Sequence, residues 1–155
     1  MHVEAIWKQG LLFASSLTNQ LQSHEETLIV IKPDGFKRGL TGKIISRFED
    51  KGFKIKDLKS FQFEKMAAEE FYNIHKDKPF FNELVSFITS GRVVACILEG
   101  NNAVATTRLM IGSTKSSEAD AGTIRGDFGL GLTDNIIHAS DSAESFIKES
   151  KVIFG

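Results

Sequence analysis

Strand-type and helix-type hydrophobic patterns alternate along nearly all of this 155-residue chain, and this alternation restricts the possible folds more than any other feature. Alternating or continuous apolar runs predict strands, whereas apolar residues three and four positions apart predict amphipathic helices. The predicted strands cover residues 27–31, 53–63, 92–98 and 135–139, and the alternation in the second strand slips as it does at a β-bulge. Helices are predicted between these strands and after the last one.

The resulting order, β-α-β-(α-α)-β-α-β-α, predicts an α+β protein. Four strands joined by two crossover helices are typical of the ferredoxin-like split βαβ sandwich, a four-stranded antiparallel sheet with helices on one face. A doubly wound parallel sheet is the alternative, but it needs more parallel strands than this chain supplies. We divide the chain into an N-terminal extension, residues 1–24, and one domain, residues 25–155.

Composition excludes several classes of function. Nineteen basic and twenty acidic residues give a formal net charge of −1, which disfavours a protein that binds nucleic acid through bulk charge. The longest apolar run, Val93–Leu98, is far shorter than the ~20 residues that span a bilayer, so no membrane attachment is expected. The single cysteine, Cys96, excludes an internal disulfide. It fits a reducing compartment, so we expect a cytoplasmic protein.

Three cationic side chains stand where the hydrophobic pattern does not explain them. Lys32 ends the first strand on the same face as its apolar residues, and the Pro-Asp-Gly turn after it fixes its direction. Arg108 lies on an apolar helix stripe, and Arg125 is flanked by glycines that let a ligand approach the backbone. The structural alternatives are a solvated strand end for Lys32, a salt bridge for Arg108 and a loop contact of Arg125 with Asp127.

His138 lies on the last predicted strand, where we expect it to share a face with Ile136. A lone histidine in such a strand is ordinarily a satisfied core residue, and the other histidines lack the spacing of a zinc site. As a nucleophile it would need an acceptor that holds its second ring nitrogen, and Glu149 on the following helix is the candidate. Asp141 and Glu144 are interpreted as caps of that helix.

Together with their neighbours, these residues resemble the motifs of one family, the nucleoside diphosphate kinases. Residues 135–141 (Asn-Ile-Ile-His-Ala-Ser-Asp) resemble its active-site pattern, and residues 32–42 resemble its first strand and turn. Tyr72 with residues 76–81 resembles the helices of its nucleotide cleft, and residues 122–128 resemble its arginine loop. These motifs follow the family's order over most of the chain, so their combination is far more specific than any single one.

The resemblance implies an enzyme, a phosphotransferase that moves the γ-phosphoryl group from a nucleoside triphosphate to a nucleoside diphosphate by a ping-pong mechanism. His138 would carry this group as phosphohistidine, Glu149 would hold and polarise its ring, and Ser140 would lie nearby. Lys32 and Asn135 would contact the ribose hydroxyls and the transferring phosphate. Mg²⁺ would arrive on the phosphates of the nucleotide, with no metal ligand from the protein.

The resemblance also implies the rest of the nucleotide site. Phe80 would stack on the base, with Leu84 and Leu132 as its apolar surroundings, so that bases are discriminated poorly. Because relatives form tetramers or hexamers built from a shared dimer, we expect a homo-oligomer. The residues that would line the phosphate path are Arg108, Thr114, Arg125, Tyr72 and His75.

Two other functions stay open at this point. An RNA-binding module can use the same fold, and its strand motif begins at Lys51, but it fails at Lys54, where the motif requires glycine or alanine. A catalytically silent, kinase-like regulatory protein would keep the fold without turnover. The presence of His138 together with both arginines and Glu149 argues against this second alternative.

Overall fold

The computed structural model describes residues 4–11 and 24–155 of the chain. Residues 4–11 form a helix, α1, and all of its residues are exposed. The remaining residues of the predicted extension, 1–3 and 12–23, lie outside the described part, so the boundary at residue 24 stays a prediction. None of the described helices combines the length and the hydropathy that crossing a membrane requires.

Four strands form one antiparallel sheet in the order β2-β3-β1-β4. Their bounds are β1 His24–Ile31, β2 Lys54–Gln62, β3 Arg92–Asn101 and β4 Ile137–Ala139. The register of β2 against β3 shifts between Ile55 and Asp57, which confirms the predicted β-bulge. The α+β class and the four-stranded antiparallel ferredoxin-like sheet are therefore confirmed.

Helices connect these strands throughout residues 24–155. The α-helices are α2 Pro33–Lys37, α3 Thr41–Lys51, α4 Lys65–Phe71, α5 Phe81–Ile88, α6 Ala103–Ile111, α7 Ile124–Phe128 and α8 Ala143–Phe154. Two 3₁₀ helices, Asn73–His75 and Ser116–Glu118, lie in the connections after α4 and α6. The segment between α6 and β4 thus contains one short 3₁₀ helix and α7.

Helices cover both faces of the sheet, so the expectation that they lie on one face is wrong. One buried cluster joins Ile29 and Ile31 to helices α3, α6 and α7. The other joins Leu28 and Val30 to helices α4, α5 and α8. The physical reason is that β1 and β3 are continuous apolar runs, and a strand that is apolar on both sides has to be covered on both sides.

The last helix, α8, is capped by a different residue from the one predicted. The Oγ of Ser142 accepts the N–H of Ser145 at 3.0 Å, so Ser142 is the N-cap. The carboxylate of Asp141 instead lies 3.2 Å from a guanidinium nitrogen of Arg108, and the carboxylate of Glu144 pairs with a lysine one turn later. The interpretation of Asp141 and Glu144 as caps is therefore wrong, because a hydroxyl group one residue further along has the capping geometry.

Two helical glycines give opposite expectations when they are replaced by alanine. A Cβ added at Gly42, in the first turn of α3, would meet no atom within 4 Å, whereas one at Gly126 in α7 would lie 1.9 Å from the carbonyl oxygen of Asp120. Gly42→Ala should raise the free energy of unfolding by up to about 1 kcal/mol, because alanine restricts the unfolded chain. Gly126→Ala should lower it by roughly 3 kcal/mol, because backbone has to move. Urea unfolding followed by circular dichroism measures both, and a Gly126→Ala protein as stable as the native one would contradict this close approach.

Candidate active site

A short strand and the last helix hold His138 at one ring nitrogen. β4 places this residue opposite Val30 of β1, and its Nε2 lies 2.7 Å from Oε1 of Glu149 on α8. The hydroxyl of Ser140 donates to the same carboxylate oxygen at 2.8 Å. Because an ionised carboxylate only accepts hydrogen bonds, Nε2 carries the proton, and Nδ1 keeps the lone pair.

The imidazole of His138 lies at the border between the core and the surface. Its side chain is 19% exposed, so it is accessible to a ligand. On the inner side, the rings of Phe71 and Tyr72 meet it edge-on, with centroids 4.9 and 6.3 Å away. The ordinary alternative, a histidine satisfied inside the core, therefore does not describe this residue.

His138 and Ile136 do not share a face, and that prediction is wrong. Ile136 has a φ of +73°, in the left-handed region, so the regular alternation of the strand is interrupted at this residue. Ile136 and Ile137 both enter the cluster under α3, α6 and α7. His138 consequently points to the opposite side, toward Phe71 and Glu149.

Lys32 is buried at the end of β1 and bound to neutral oxygens. Its Nζ donates to the side-chain oxygen of Asn135 at 2.7 Å and to the carbonyl of Thr133 at 3.1 Å. The amide nitrogen of Asn135 in turn donates to the carbonyl of Thr114 at 2.8 Å. Burial, followed by the nearby charge of Arg125, lowers the pKa of Lys32 to about 8. With an exposed fraction of 4%, Lys32 is not a solvated strand end.

Arg125 is also buried and holds three backbone carbonyls. Its guanidinium donates to the carbonyls of Asn135 at 3.2 Å, Gly112 at 3.1 Å and Ile137 at 2.6 Å. Burial, with a contribution from the charge of Arg108, lowers the pKa of Arg125 to about 10. Arg125 does not make the alternative contact with Asp127 of the same helix, because the Asp127 carboxylate binds Arg47 and the N–H of Gly122.

Arg108, on α6, is partly exposed and forms a salt bridge, which the sequence left open as the structural alternative to a functional role. Its Nη1 lies 3.2 Å from a carboxylate oxygen of Asp141, and it donates to the carbonyl of Ala139 at 3.2 Å. The Asp141 side chain is 70% exposed, and such surface pairs contribute only about 0–1 kcal/mol. An incoming polyanion can therefore replace Asp141 at little cost.

A row of rings connects His138 to the expected base site. Ring centroids are separated by 6.3 Å between His138 and Tyr72, 6.4 Å between Tyr72 and His75, and 5.7 Å between His75 and Phe80. Phe80 is 42% exposed and Leu132 is 60% exposed, so both have free surface for a ligand. Burial, followed by the charge of Glu149, raises the pKa of Tyr72, which therefore stays neutral.

The other expected residues lie around this row. Leu84 is partly buried on α5, one turn after Phe80. Thr114 is exposed, and its carbonyl is tied to Asn135. Burial, followed by the charge of Lys78, lowers the pKa of His75. In residues 4–11 and 24–155, no group of three histidine, cysteine or carboxylate side chains lies close enough to hold a metal ion.

Two contacts at this site were missed by the sequence reasoning. The hydroxyl of Thr133 donates to Glu83 at 2.7 Å, which ties the loop with Leu132 to α5. The carboxylate of Asp34 accepts the N–H of Ile136 at 3.0 Å. Both join residues far apart in the chain, and no local pattern marks them.

Comparisons with known proteins agree with these motifs. Residues 25–155 match the family model described as "NDK: Nucleoside diphosphate kinase". A nucleoside diphosphate kinase of Staphylothermus marinus is 55% identical over 130 residues, which cover 84% of this chain and 92% of that protein. A nucleoside diphosphate kinase of Hyperthermus butylicus is 56% identical over 130 residues, with the same shares of the two chains covered.

Solved structures of the same family superpose on this fold. The nucleoside diphosphate kinase of Aquifex aeolicus matches with a TM-score of 0.83 and 47% identity, over 85% of this chain and 96% of that one. The enzyme of Halobacterium salinarum, solved in complex with CDP, matches with a TM-score of 0.81 and 44% identity, over 84% and 87% of the two chains. The family model covers residues 25–155 and both relatives match over 130 residues, and the chain therefore belongs to the nucleoside diphosphate kinase family.

Proposed function

We propose that this chain transfers the γ-phosphoryl group of a nucleoside triphosphate to a nucleoside diphosphate in two steps, with His138 as the temporary carrier. The activity class, nucleotide phosphoryl transfer, is that of the family. The proposal for His138 is carried by one observation: Glu149 holds Nε2 at 2.7 Å, which leaves the lone pair on Nδ1.

In the first step the lone pair of Nδ1 attacks the γ-phosphorus. The bond from this phosphorus to the bridging oxygen breaks, and its electron pair stays on the β-phosphate of the departing diphosphate. The phosphorylated ring is cationic, and the carboxylate of Glu149 next to Nε2 stabilises it. In the second step a β-phosphate oxygen of the acceptor attacks the same phosphorus, and the electrons of the P–N bond return to Nδ1.

Cationic groups near His138 support phosphoryl transfer, because charge in its transition state spreads over the three equatorial oxygens. Lys32 and Arg125 are fixed by hydrogen bonds before any ligand arrives, which is the preorganisation that electrostatic catalysis requires. Arg108 is held only by an exposed carboxylate and a carbonyl. We propose that these three residues, with Thr114, Tyr72 and His75, line the phosphate path.

We propose that the nucleoside lies along the row of rings, with its base on Phe80. Leu84 and Leu132 flank this ring as apolar surroundings, and Lys32 with Asn135 contacts the ribose hydroxyls and the transferring phosphate. Stacking recognises the flat face that all bases share, so it discriminates poorly among them. This arrangement therefore supports a broad nucleotide specificity.

The family's kinase reaction generally uses a divalent cation, and we propose Mg²⁺ bound to the phosphates of the nucleotide. Bound there, it neutralises charge on the β- and γ-phosphates. The carboxylates near His138, within residues 24–155, support this assignment because they already have partners: Glu149 is hydrogen-bonded to His138 and Ser140, and Asp141 is paired with Arg108. Carboxylate and carbonyl oxygens are the ligands that a protein-held Mg²⁺ needs.

The two alternatives are less well supported. A net charge of −1 argues against an RNA-binding module. A silent regulatory protein would not need a histidine held by a carboxylate together with a buried arginine fixed by hydrogen bonds. The family relatives that match across the whole domain are named as kinases.

We also propose that the chain assembles as a homo-oligomer built from dimers and works in the cytoplasm. Among the described residues, β2 is an edge strand with one sheet neighbour, β3, and most of its side chains are exposed. Edge strands carry unpaired backbone groups that can join another chain. The buried free thiol of Cys96 supports a reducing compartment.

The phosphohistidine intermediate can be isolated because the first step needs no acceptor. Native protein incubated with ATP and Mg²⁺ should gain one phosphoryl group in its intact mass, and added GDP should remove it. His138→Ala should abolish the gain, whereas His24→Ala, which changes an exposed histidine paired with Glu99, should keep it. The label should be acid-labile and base-stable, and a native protein that gains no mass would contradict the proposed function.

Nucleotide affinity should depend on pH through Lys32. Its pKa in the free protein is about 8, so it is charged at neutral pH and mostly neutral at pH values well above 8. Bound phosphates favour the charged form, so ADP binding in that alkaline range should take up a proton, and the affinity should fall by up to about tenfold per pH unit. Calorimetry in buffers of different ionisation enthalpy measures this uptake. The uptake should be small at neutral pH and absent in Lys32→Met, and native protein without alkaline proton uptake would contradict the assignment.

Loss of the Phe80 ring should weaken all nucleotides to a similar degree. Removal of a stacking ring costs about 1–3 kcal/mol per base, so Phe80→Ala should raise the dissociation constants of ADP, GDP and CDP by comparable factors. Phe80→Trp, which keeps a stacking face, is the matched control and should bind near the native level. A large change in purine over pyrimidine preference would contradict the stacking pose.

A further inference from the structure

The backbone just before His138 is held in a conformation that its residue type disfavours. Ile136 is fully buried and has a φ of +73°. β-Branched residues are outliers in this left-handed region, because the side chain is crowded against the backbone. Such residues persist only where their surroundings force the conformation, and they cluster at functional sites.

The turn that follows β1 holds Ile136 from both sides. The N–H of Lys32 donates to the carbonyl of Ile136 at 2.8 Å, and the N–H of Ile136 donates to Oδ2 of Asp34 at 3.0 Å. Gly35 lets the two segments meet, since a Cβ at this position would lie 3.1 Å from the Ile136 carbonyl oxygen. Hydrogen bonds to Lys32 and Asp34 thus fix the two peptide groups on either side of Ile136.

The conformation of Ile136 fits the alternation of β4. Ile137 and Ala139 enter the cluster under α3, α6 and α7, so alternation places His138 on the opposite face, where it pairs with Val30 and meets Glu149. With Ile136 left-handed, its side chain enters the same cluster as that of Ile137 without a one-residue shift of this alternation. The conformation of Ile136 therefore maintains the phase of β4 in which the imidazole meets Glu149.

The carboxylate of Asp34 is energetically unfavourable at this position unless it does more than form a turn. Its carboxylate is partly buried, and burial raises its pKa. Among the described residues, its second oxygen, Oδ1, is buried without a hydrogen-bond partner. A half-satisfied buried acceptor is destabilising, and the contact of the other oxygen with Ile136 and the nearby charge of Lys32 offset this cost.

We infer that Asp34 is a positioning residue for His138: by accepting the N–H of Ile136 it keeps that residue left-handed and so directs the imidazole toward Glu149. Asp34 acts through Ile136 and does not touch the reacting atoms. The inference rests on the proposed function of His138. A positioning role can be distinguished from a purely electrostatic effect of Asp34 on Lys32. An uncharged acceptor at residue 34 would still bind the N–H of Ile136, but it would not change the charge environment of Lys32 in the same way.

The test compares Asp34→Ala with Asp34→Asn, which removes the charge but keeps an oxygen acceptor. At saturating ATP and Mg²⁺ without acceptor, Asp34→Ala should form phosphohistidine about 10- to 100-fold more slowly, as expected for a misplaced nucleophile. The dissociation constant of ADP should stay near the native value, and Asp34→Asn should recover most of the rate. In ¹⁵N NMR spectra, the His138 ring of Asp34→Ala should lose the signature of Nε2–H bound to a carboxylate.

The matched control is Glu25→Ala. Glu25 is also a carboxylate that accepts a backbone N–H from a distant segment, that of Val104 at 2.9 Å, but it lies at the other end of β1 from His138. The loss of the Glu25 carboxylate should leave the phosphorylation rate native. This control therefore distinguishes a general loss of stability from a misoriented His138 ring.

Three results would overturn the inference: native rates in Asp34→Ala, an Asp34→Asn protein as slow as Asp34→Ala, or unchanged ring spectra in a slow variant. If Asp34→Ala does not fold, Asp34→Leu takes its place, because it removes the acceptor and fills the space of the carboxylate. A native rate in Asp34→Leu would then count against the inference. A native chain that is never phosphorylated would instead refute the proposed function itself.

Discussion

The hydrogen bond between Nε2 of His138 and Glu149 is the interaction on which the rest of the site depends. It fixes the proton on one ring nitrogen and leaves the lone pair on the other. Ser140 donates to the same carboxylate oxygen and holds it in place. The two partners come from a three-residue strand and the last helix, so the contact exists only when the end of the chain has packed against β1.

The cations near this pair are held in position by hydrogen bonds that do not neutralise their charge. Lys32 and Arg125 are both buried, and their hydrogen bonds go to carbonyl and amide oxygens. Such partners satisfy the N–H groups without neutralising the positive charge, which the charges of Asp34 and Asp134 offset in part at Lys32. A site of this kind is preorganised, and its electrostatic potential favours the binding of a polyanion.

Much of the fold and of the proposed site can be predicted from the sequence, because the decisive signals are local. Periodicity gives the strands and the bulge at Ile55, and the need of a nucleophilic imidazole for an acceptor leads to Glu149. The conformation of Ile136 has no such signal, since an isoleucine in a short strand looks regular. Its cause, the carboxylate of Asp34, lies 102 residues away in the chain. The helices on both faces are a different case: the continuous apolar runs of β1 and β3 already indicate them, but the fold analogy favoured one face.

The repulsion among these cations has a consequence for the lifetime of the protein. The charge of Arg108 lowers the pKa of Arg125, and the charge of Arg125 lowers the pKa of Lys32. A ligand that binds only the folded chain stabilises it by mass action, and phosphates would also relieve this repulsion. Under the proposed function, the folded fraction that escapes proteolysis therefore rises and falls with the cellular nucleotide pool that the protein itself equilibrates.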